Sequence, residues 1–163
     1  MTPIRVILAD DHAVVREGTR QLLDREPDIE VVGEATNGAE AVRMVEQLRP
    51  KVVVMDVRMP QMGGVEATKA IKSRFPDVEV LVMTAYEDDE FVFTLLEAGA
   101  SGYLLKTAPV KELVKAIHEV ADGQSALDPA IARKVLRQFT DGGPRKKQEE
   151  FYEALTEREQ EVL

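Results

Sequence analysis

A chain of 163 residues, 44 % hydrophobic and 31 % charged, is long enough for one packed domain plus an appendage. Aromatics make up only 5 % of it, so aliphatic side chains must fill the core. The absence of cysteine excludes a disulfide framework, a thiolate metal site and a cysteine nucleophile, and a formal charge of −9 excludes general attraction to nucleic acid.

The opening "MTPIRVILADDH" turns acidic too early for a secretory signal, and no segment approaches the roughly 18 apolar residues of a membrane span. A cytoplasmic protein with no membrane association is expected. In chain order, short runs rich in β-branched residues alternate with amphipathic stretches. The runs are "IRVILA" (4–9), "EVVGEA" (30–35), "KVVVMD" (51–56), "EVLVMT" (79–84) and "GYLL" (102–105), and helical periodicity falls near 13–25, 38–49, 64–74, 88–98 and 109–122. In the last of these Val110, Leu113, Val114, Ile117 and Ala121 share one face, with Pro109 suited to the first turn. Gly99 suits the left-handed cap of the fourth helix. Five strand–helix alternations predict a five-stranded parallel sheet with helices on both faces, in the flavodoxin-like order 2-1-3-4-5, over residues 1–122.

Beyond Gly123 the pattern changes. Asp128 and Pro129 signal a further helix start, and Ile131, Val135, Leu136 and Phe139 give it an apolar stripe. "TDGGP" (140–144) stops it and "RKKQEE" (145–150) reads as a charged part of a helical linker spanning 123–150. In "LTEREQEVL" (155–163) Thr156 and Glu159 form a capping box. A helix is expected to begin there, inside a module of which residues 151–163 are only the start.

The run "VVVMDVRMP" (52–60) places Asp56 at the end of an apolar, central strand. Asp10 and Asp11 follow the neighbouring first strand. Three carboxylates at one rim of a sheet repel one another, and a hard cation with oxygen ligands relieves this; Mg²⁺, which keeps several waters, is the expected ion. An Asp-Asp pair after a strand also serves as a helix N-cap, so the pair alone does not decide between the two. Thr84 ends the fourth strand and Lys106 the fifth, adding a hydroxyl and an ammonium to the same rim. That set suits phosphoryl transfer to a carboxylate. His12, His118 and the "RKK" of the linker are read as structural or solvated, because none has a partner at ligand spacing.

"LADDH", "VVVMDVRMPQMGG", "LVMTA" and "GASGYLLK" resemble the signature stretches of response-regulator receiver domains of two-component signalling, and "LTEREQEVL" resembles the opening of a LuxR-type helix-turn-helix. Together they resemble a NarL/FixJ-class response regulator. The resemblance implies that Asp56 accepts a phosphoryl group from a sensor histidine kinase. It implies that Asp11 binds Mg²⁺ directly, Asp10 mainly through water, and that the Arg58 carbonyl is a further ligand beside Asp56. Thr84 would shift toward the phosphoryl group, Lys106 would pair with another of its oxygens, and Tyr103 would change rotamer with Thr84. Pro60 and Gly64 would shape the loop after Asp56. The outcome would be homodimerisation and control of transcription through DNA, contacted by the full-length C-terminal domain rather than by these 163 residues. Such a protein is a regulator and not an enzyme, beyond its own phosphorylation and dephosphorylation.

One departure is that Thr107 follows Lys106 where many receivers have proline with a cis bond, which leaves the isomer of Lys106–Thr107 open. Two other classes share the architecture. A haloacid-dehalogenase-like phosphohydrolase would carry a second aspartate at position 58, where this chain has arginine. A nucleotide- or flavin-binding domain would need a glycine- or hydroxyl-rich phosphate loop in place of the acidic "ADDHAVVREG".

Overall fold

A computed structural model describes residues 2–85 and 91–140, with the side chains of 138–140 excepted. The elements are β1 (Ile4–Ala9), α1 (Ala13–Leu23), β2 (Ile29–Ala35), α2 (Gly38–Leu48), β3 (Val52–Asp56), α3 (Gly64–Arg74), β4 (Glu79–Thr84), α4 (Val92–Glu97), β5 (Gly102–Leu105), α5 (Val110–Ala121), β6 (Ala126–Leu127) and α6 (Pro129–Thr140). The chain divides into two compact units between Leu127 and Asp128. The first contains a parallel sheet in the order β2-β1-β3-β4-β5-β6.

The expected 2-1-3-4-5 order is present. The addition is β6, whose two residues pair with Gly102 and Tyr103 at the β5 edge. Two residues carry no readable periodicity. They form a strand because the turn after α5 returns the chain alongside an otherwise unpaired edge. Pro109 is the N-cap of α5 rather than its first residue, with its carbonyl accepting the amides of Glu112 and Leu113. The described part of the fourth helix is Val92–Glu97, and residues 88–90 of the expected segment lie outside the described residues. The linker segment 145–150 and the capping box at Thr156 lie outside them as well.

Strand alternation sorts the core into two faces. Val6, Leu8, Val52, Val54, Leu81 and Leu104 point to one side and form a buried cluster with Leu113, Ala116, Ile117 and Val120 of α5 and Leu23 of α1. Ile7, Val53, Met55, Val80 and Val82 fill the other side and are fully buried, as are Ala41 and Val45 of α2 and Ala67 and Ile71 of α3. A buried Leu, Ile or Val contributes roughly 1.5–3 kcal/mol, so a strand such as β3, buried at all five positions, is anchored from both sides.

Two glycines are dictated by geometry. Gly99 (φ 102) ends α4 in a left-handed cap, its amide donating to Leu96 O and that of Ala100 to Leu95 O. Gly64 opens α3 directly beneath β3, and a Cβ there would stand 2.5 Å from the carbonyl oxygen of Asp56. The intervening loop is strained as well, since Gln61 (φ 51) and Met62 (φ 91) both occupy the left-handed region.

This geometry separates two Gly→Ala substitutions. Gly64→Ala should destabilise by about 1–3 kcal/mol, because backbone beneath Asp56 must move. Gly18→Ala, mid-α1 with nothing within 4 Å of the new methyl, should stabilise by about 0.5–1 kcal/mol. Urea unfolding of both variants checks the pair; equal effects would show that the close approach at Gly64 is not a constraint.

Candidate functional site

The register of the sheet builds the site. Ala9 pairs with Met55 and Asp56 with Met83, while Thr84 pairs with Leu105. Asp10 and Asp11 therefore leave β1 beside the end of β3, and Lys106 leaves β5 on the far side of β4. The Lys106 amide continues the ladder by donating to Thr84 O at 2.7 Å. By alternation Asp10, Asp56 and Lys106 share the α1/α5 face with Leu8, Val54 and Leu104. Thr84 and Tyr103 belong to the opposite face.

Asp56 is only 3 % exposed. Lys106 Nζ stands 3.0 Å from its Oδ2 and 3.7 Å from Asp10 Oδ2. The first contact has the length of a hydrogen bond but not the alignment, and Oδ2 is buried without a hydrogen-bond donor. Burial pushes the Asp56 carboxyl above its ordinary value; Lys106 and the backbone N–H of Arg58 act in the opposite direction, and the charge of Asp10 adds to the rise. Asp10 Oδ1 accepts from the backbone N–H of His12 at 2.8 Å and lies 3.1 Å from His12 Nδ1. Ligand atoms of Asp10, Asp11, His12 and Asp56 all lie within 4.8 Å of one another. A cavity beside Asp56 has an apolar floor of Leu8, Val54 and Leu113 and polar walls of Asp10, Asp56, Lys106 and Arg16.

These residues fit a hard divalent cation. Three carboxylates face one ammonium, and the buried Oδ2 of Asp56 has an unused acceptor direction. The helix-capping alternative for the acidic pair is not what the structure shows: the N-cap of α1 is His12, with no side-chain cap, and Asp10 closes a local turn onto the His12 amide.

Most predicted site residues converge, but not all in one place. Asp10, Asp11, Asp56 and Lys106 form one cluster. Thr84 is fully buried, donates its hydroxyl to Ala85 O at 3.1 Å and does not line the cavity. Tyr103 is fully buried. Arg58 holds Asp56 through its amide and places its guanidinium 5.6 Å from the Phe91 ring centre. The Lys106–Thr107 bond is trans, as are all peptides of the described residues. His118 pairs with Asp28 at 2.5 Å, a structural contact between α5 and the turn before β2. His12 differs from His118: neither has a partner at ligand spacing, yet adjacency to Asp10 and Asp11 brings the His12 ring into the carboxylate cluster. Arg16 and Glu34 carried no visible signal, because a basic helix residue and an acidic strand residue 18 positions apart look like ordinary surface.

The raised Asp56 pKa has a definite sign in stability. The folded carboxyl holds its proton more tightly than the unfolded one, so this contribution is present below the ordinary carboxylate pKa of about 4. It is lost as pH rises through the elevated folded value. Without divalent cations, Asp56→Asn should therefore lose less stability than the parent between about pH 4 and neutrality. Urea unfolding in a chelating buffer across that range checks this; parallel pH profiles would show that the buried charge is fully compensated by Lys106.

The response regulator receiver domain family matches residues 6–118. Over 160 residues the chain is 42 % identical to the transcriptional regulatory protein LiaR of Bacillus subtilis (strain 168), covering 98 % of this chain and 74 % of LiaR. Identity to the response regulator protein VraR of Staphylococcus aureus (strain Mu3) is 39 % with the same coverage. Among solved structures, a LuxR-family two-component response regulator from Aurantimonas sp. SI85-9A1 superposes with a TM-score of 0.80 at 38 % identity, covering 85 % of this chain and 99 % of that one. The paired acids, the buried Asp56 and the strand-end lysine thus sit on a receiver scaffold, and the chain belongs to the response-regulator receiver family, in its NarL/LuxR class.

Proposed function

We propose that this protein is a two-component response regulator in which Asp56 accepts a phosphoryl group and thereby switches a transcriptional output. The observation that carries the reading is the buried, donor-free Oδ2 of Asp56, set 3.0 Å from Lys106 and within reach of two further carboxylates. The relatives are transcriptional response regulators and not metabolic enzymes, and the only chemistry proposed is at Asp56 itself. Its carboxylate attacks phosphorus of a sensor kinase phosphohistidine. A P–O bond forms, the P–N bond breaks, and the imidazole leaves with the electron pair.

The acidic cluster fits Mg²⁺, which Asp11, Asp56 and the Arg58 carbonyl would hold, with Asp10 assisting mainly through water. When bound it neutralises phosphoryl oxygens that would otherwise be repelled by three carboxylates. Lys106 offers its ammonium to another of these oxygens. A phosphoaspartate carries about −2 charge and new acceptors, which attract the Thr84 hydroxyl away from Ala85 O. Tyr103, buried on the same face as Thr84, is the neighbour expected to respond. This shift would favour homodimerisation.

In domain terms, residues 1–122 carry the five-stranded receiver, with β6 of the following segment added at its sheet edge; 123–150 is assigned as the linker and 151–163 as the start of a LuxR-type DNA-binding domain. DNA would be contacted by the full-length C-terminal domain, since residues 1–163 carry a net −9. No helix among the described residues is long and apolar enough to cross a membrane, and the proposed place of action is the cytoplasm.

The test is intact-mass measurement after incubation with acetyl phosphate and Mg²⁺. One phosphoryl group should add to the parent and none to Asp56→Asn; an unchanged gain in the variant would remove Asp56 from the reading. Asp11→Asn separates metal ligand from helix cap. It should weaken Mg²⁺ binding in calorimetry while leaving metal-free stability within about 0.5 kcal/mol of the parent or higher. A cap would instead cost about 1 kcal/mol.

A further inference from the structure

The turn that carries Asp10 and Asp11 joins β1 to α1 in three residues, and the carboxylates on it repel one another. Such a turn relaxes unless its peptides are held. The backbone of Asp10 is held on both sides. Its amide donates to Ala35 O of β2 at 3.0 Å, and its carbonyl accepts from Arg16 Nη1 at 2.7 Å. Arg16 stands in the first turns of α1, its side chain 13 % exposed, and its Nε donates to Glu34 Oε1 at 3.1 Å. The other oxygen of Glu34 faces Arg20 Nη1 at 2.5 Å. Glu34 lies on β2 opposite Leu8 of β1. The planar guanidinium thus spans from a strand to the acidic turn with two donors in fixed directions, a span that a single ammonium does not reproduce.

We propose that Arg16, oriented by Glu34, is a positioning residue for the acidic pair: by holding the Asp10 carbonyl it sets the Asp10–Asp11 peptide so that the two carboxylates form a preformed seat for a divalent cation. The inference rests on the metal-dependent reading of the site given above. Glu34 has a second consequence. Arg16 lines the same cavity as Asp10 and Asp56, where a lone guanidinium would repel a divalent cation. The paired carboxylate at 3.1 Å offsets that field. Without Arg16 the Asp10 carbonyl loses its donor, the peptide can turn, and the carboxylates move apart. Cation binding must then restore the arrangement, which weakens affinity without altering the reaction once the cation is seated.

A part-buried ion pair that only stabilised the fold would not distinguish cation affinity from saturated rate, so the experiment reads both. The full chain is titrated with Mg²⁺ by calorimetry, and the initial rate of phosphorylation by acetyl phosphate is followed by intact mass against Mg²⁺ concentration. Parent, Arg16→Met and Arg16→Lys are compared. Arg16→Met should raise the Kd for Mg²⁺ about tenfold. The half-saturating Mg²⁺ should rise by the same factor, with the plateau rate within about twofold of the parent. Arg16→Lys keeps the charge and the packed stem, and carries the test if Arg16→Met does not fold; it too should raise the Kd, because one ammonium cannot hold both Glu34 and the Asp10 carbonyl. A Kd unchanged in the folded variants, or a lowered plateau at unchanged half-saturation, would overturn the inference while leaving the proposed function standing. Failure of the parent to bind Mg²⁺ would overturn both.

Discussion

Asp56 ends a strand whose five residues are all buried, so its charge is placed where water cannot reach it freely. An ionised carboxylate in that position is costly unless an opposite charge faces it. In this fold Lys106 Nζ faces it at 3.0 Å, and the fold must bring the end of β5 within reach of the end of β3 for that to happen. The parallel order with β4 between them does so. The same order sets β1 on the other side of β3, which delivers Asp10 and Asp11. The charge imbalance of the rim, three carboxylates against one ammonium, is a consequence of strand order as much as of residue choice.

The sheet also divides the site by face. Asp10, Asp56 and Lys106 belong to the face packed by α1 and α5, with a cavity floored by Leu8, Val54 and Leu113. Thr84 and Tyr103 belong to the other face, and both are fully buried. The two faces adjoin at the end of β4, where Thr84 is the last strand residue and its hydroxyl donates to the carbonyl of Ala85. On the proposed reading this is a two-state contact: the hydroxyl donates either to its own chain or to the modified carboxylate, and the packing around it follows.

Rigidity is distributed unevenly around the rim. β3 is locked by burial, and Gly64 brings α3 against its last carbonyl so closely that a side chain has no room. The acidic turn has no such packing, since Asp11 and His12 are exposed, and is held through hydrogen bonds to Asp10. The loop between β3 and α3 stores backbone strain at Gln61 and Met62 and is fastened to α2 by the Gly38 amide donating to Met62 O at 3.0 Å. Asp56, the acidic turn and the loop are thus anchored by different physical means: burial, hydrogen bonds and a backbone tie to α2.

Apolar runs alternating with period-3.6 stretches were sufficient for the five-stranded receiver fold, because a strand of a doubly covered parallel sheet reads as an apolar run and each covering helix as a stripe. Asp10, Asp11, Asp56 and Lys106 were legible for the same reason: strand ends are recognisable, and in this architecture strand ends converge. What sequence spacing cannot carry is any contact made sideways between elements. β6 exists only because a neighbouring edge was open. His12 is part of the acidic cluster because a turn folds its ring onto Asp10. Arg16 reaches Glu34 because α1 packs across the β1–β2 pair. Local periodicity determined which residues arrive at the rim; three-dimensional packing decided what holds them there, since hydrogen-bond direction and burial of charge are set by neighbours distant in the chain.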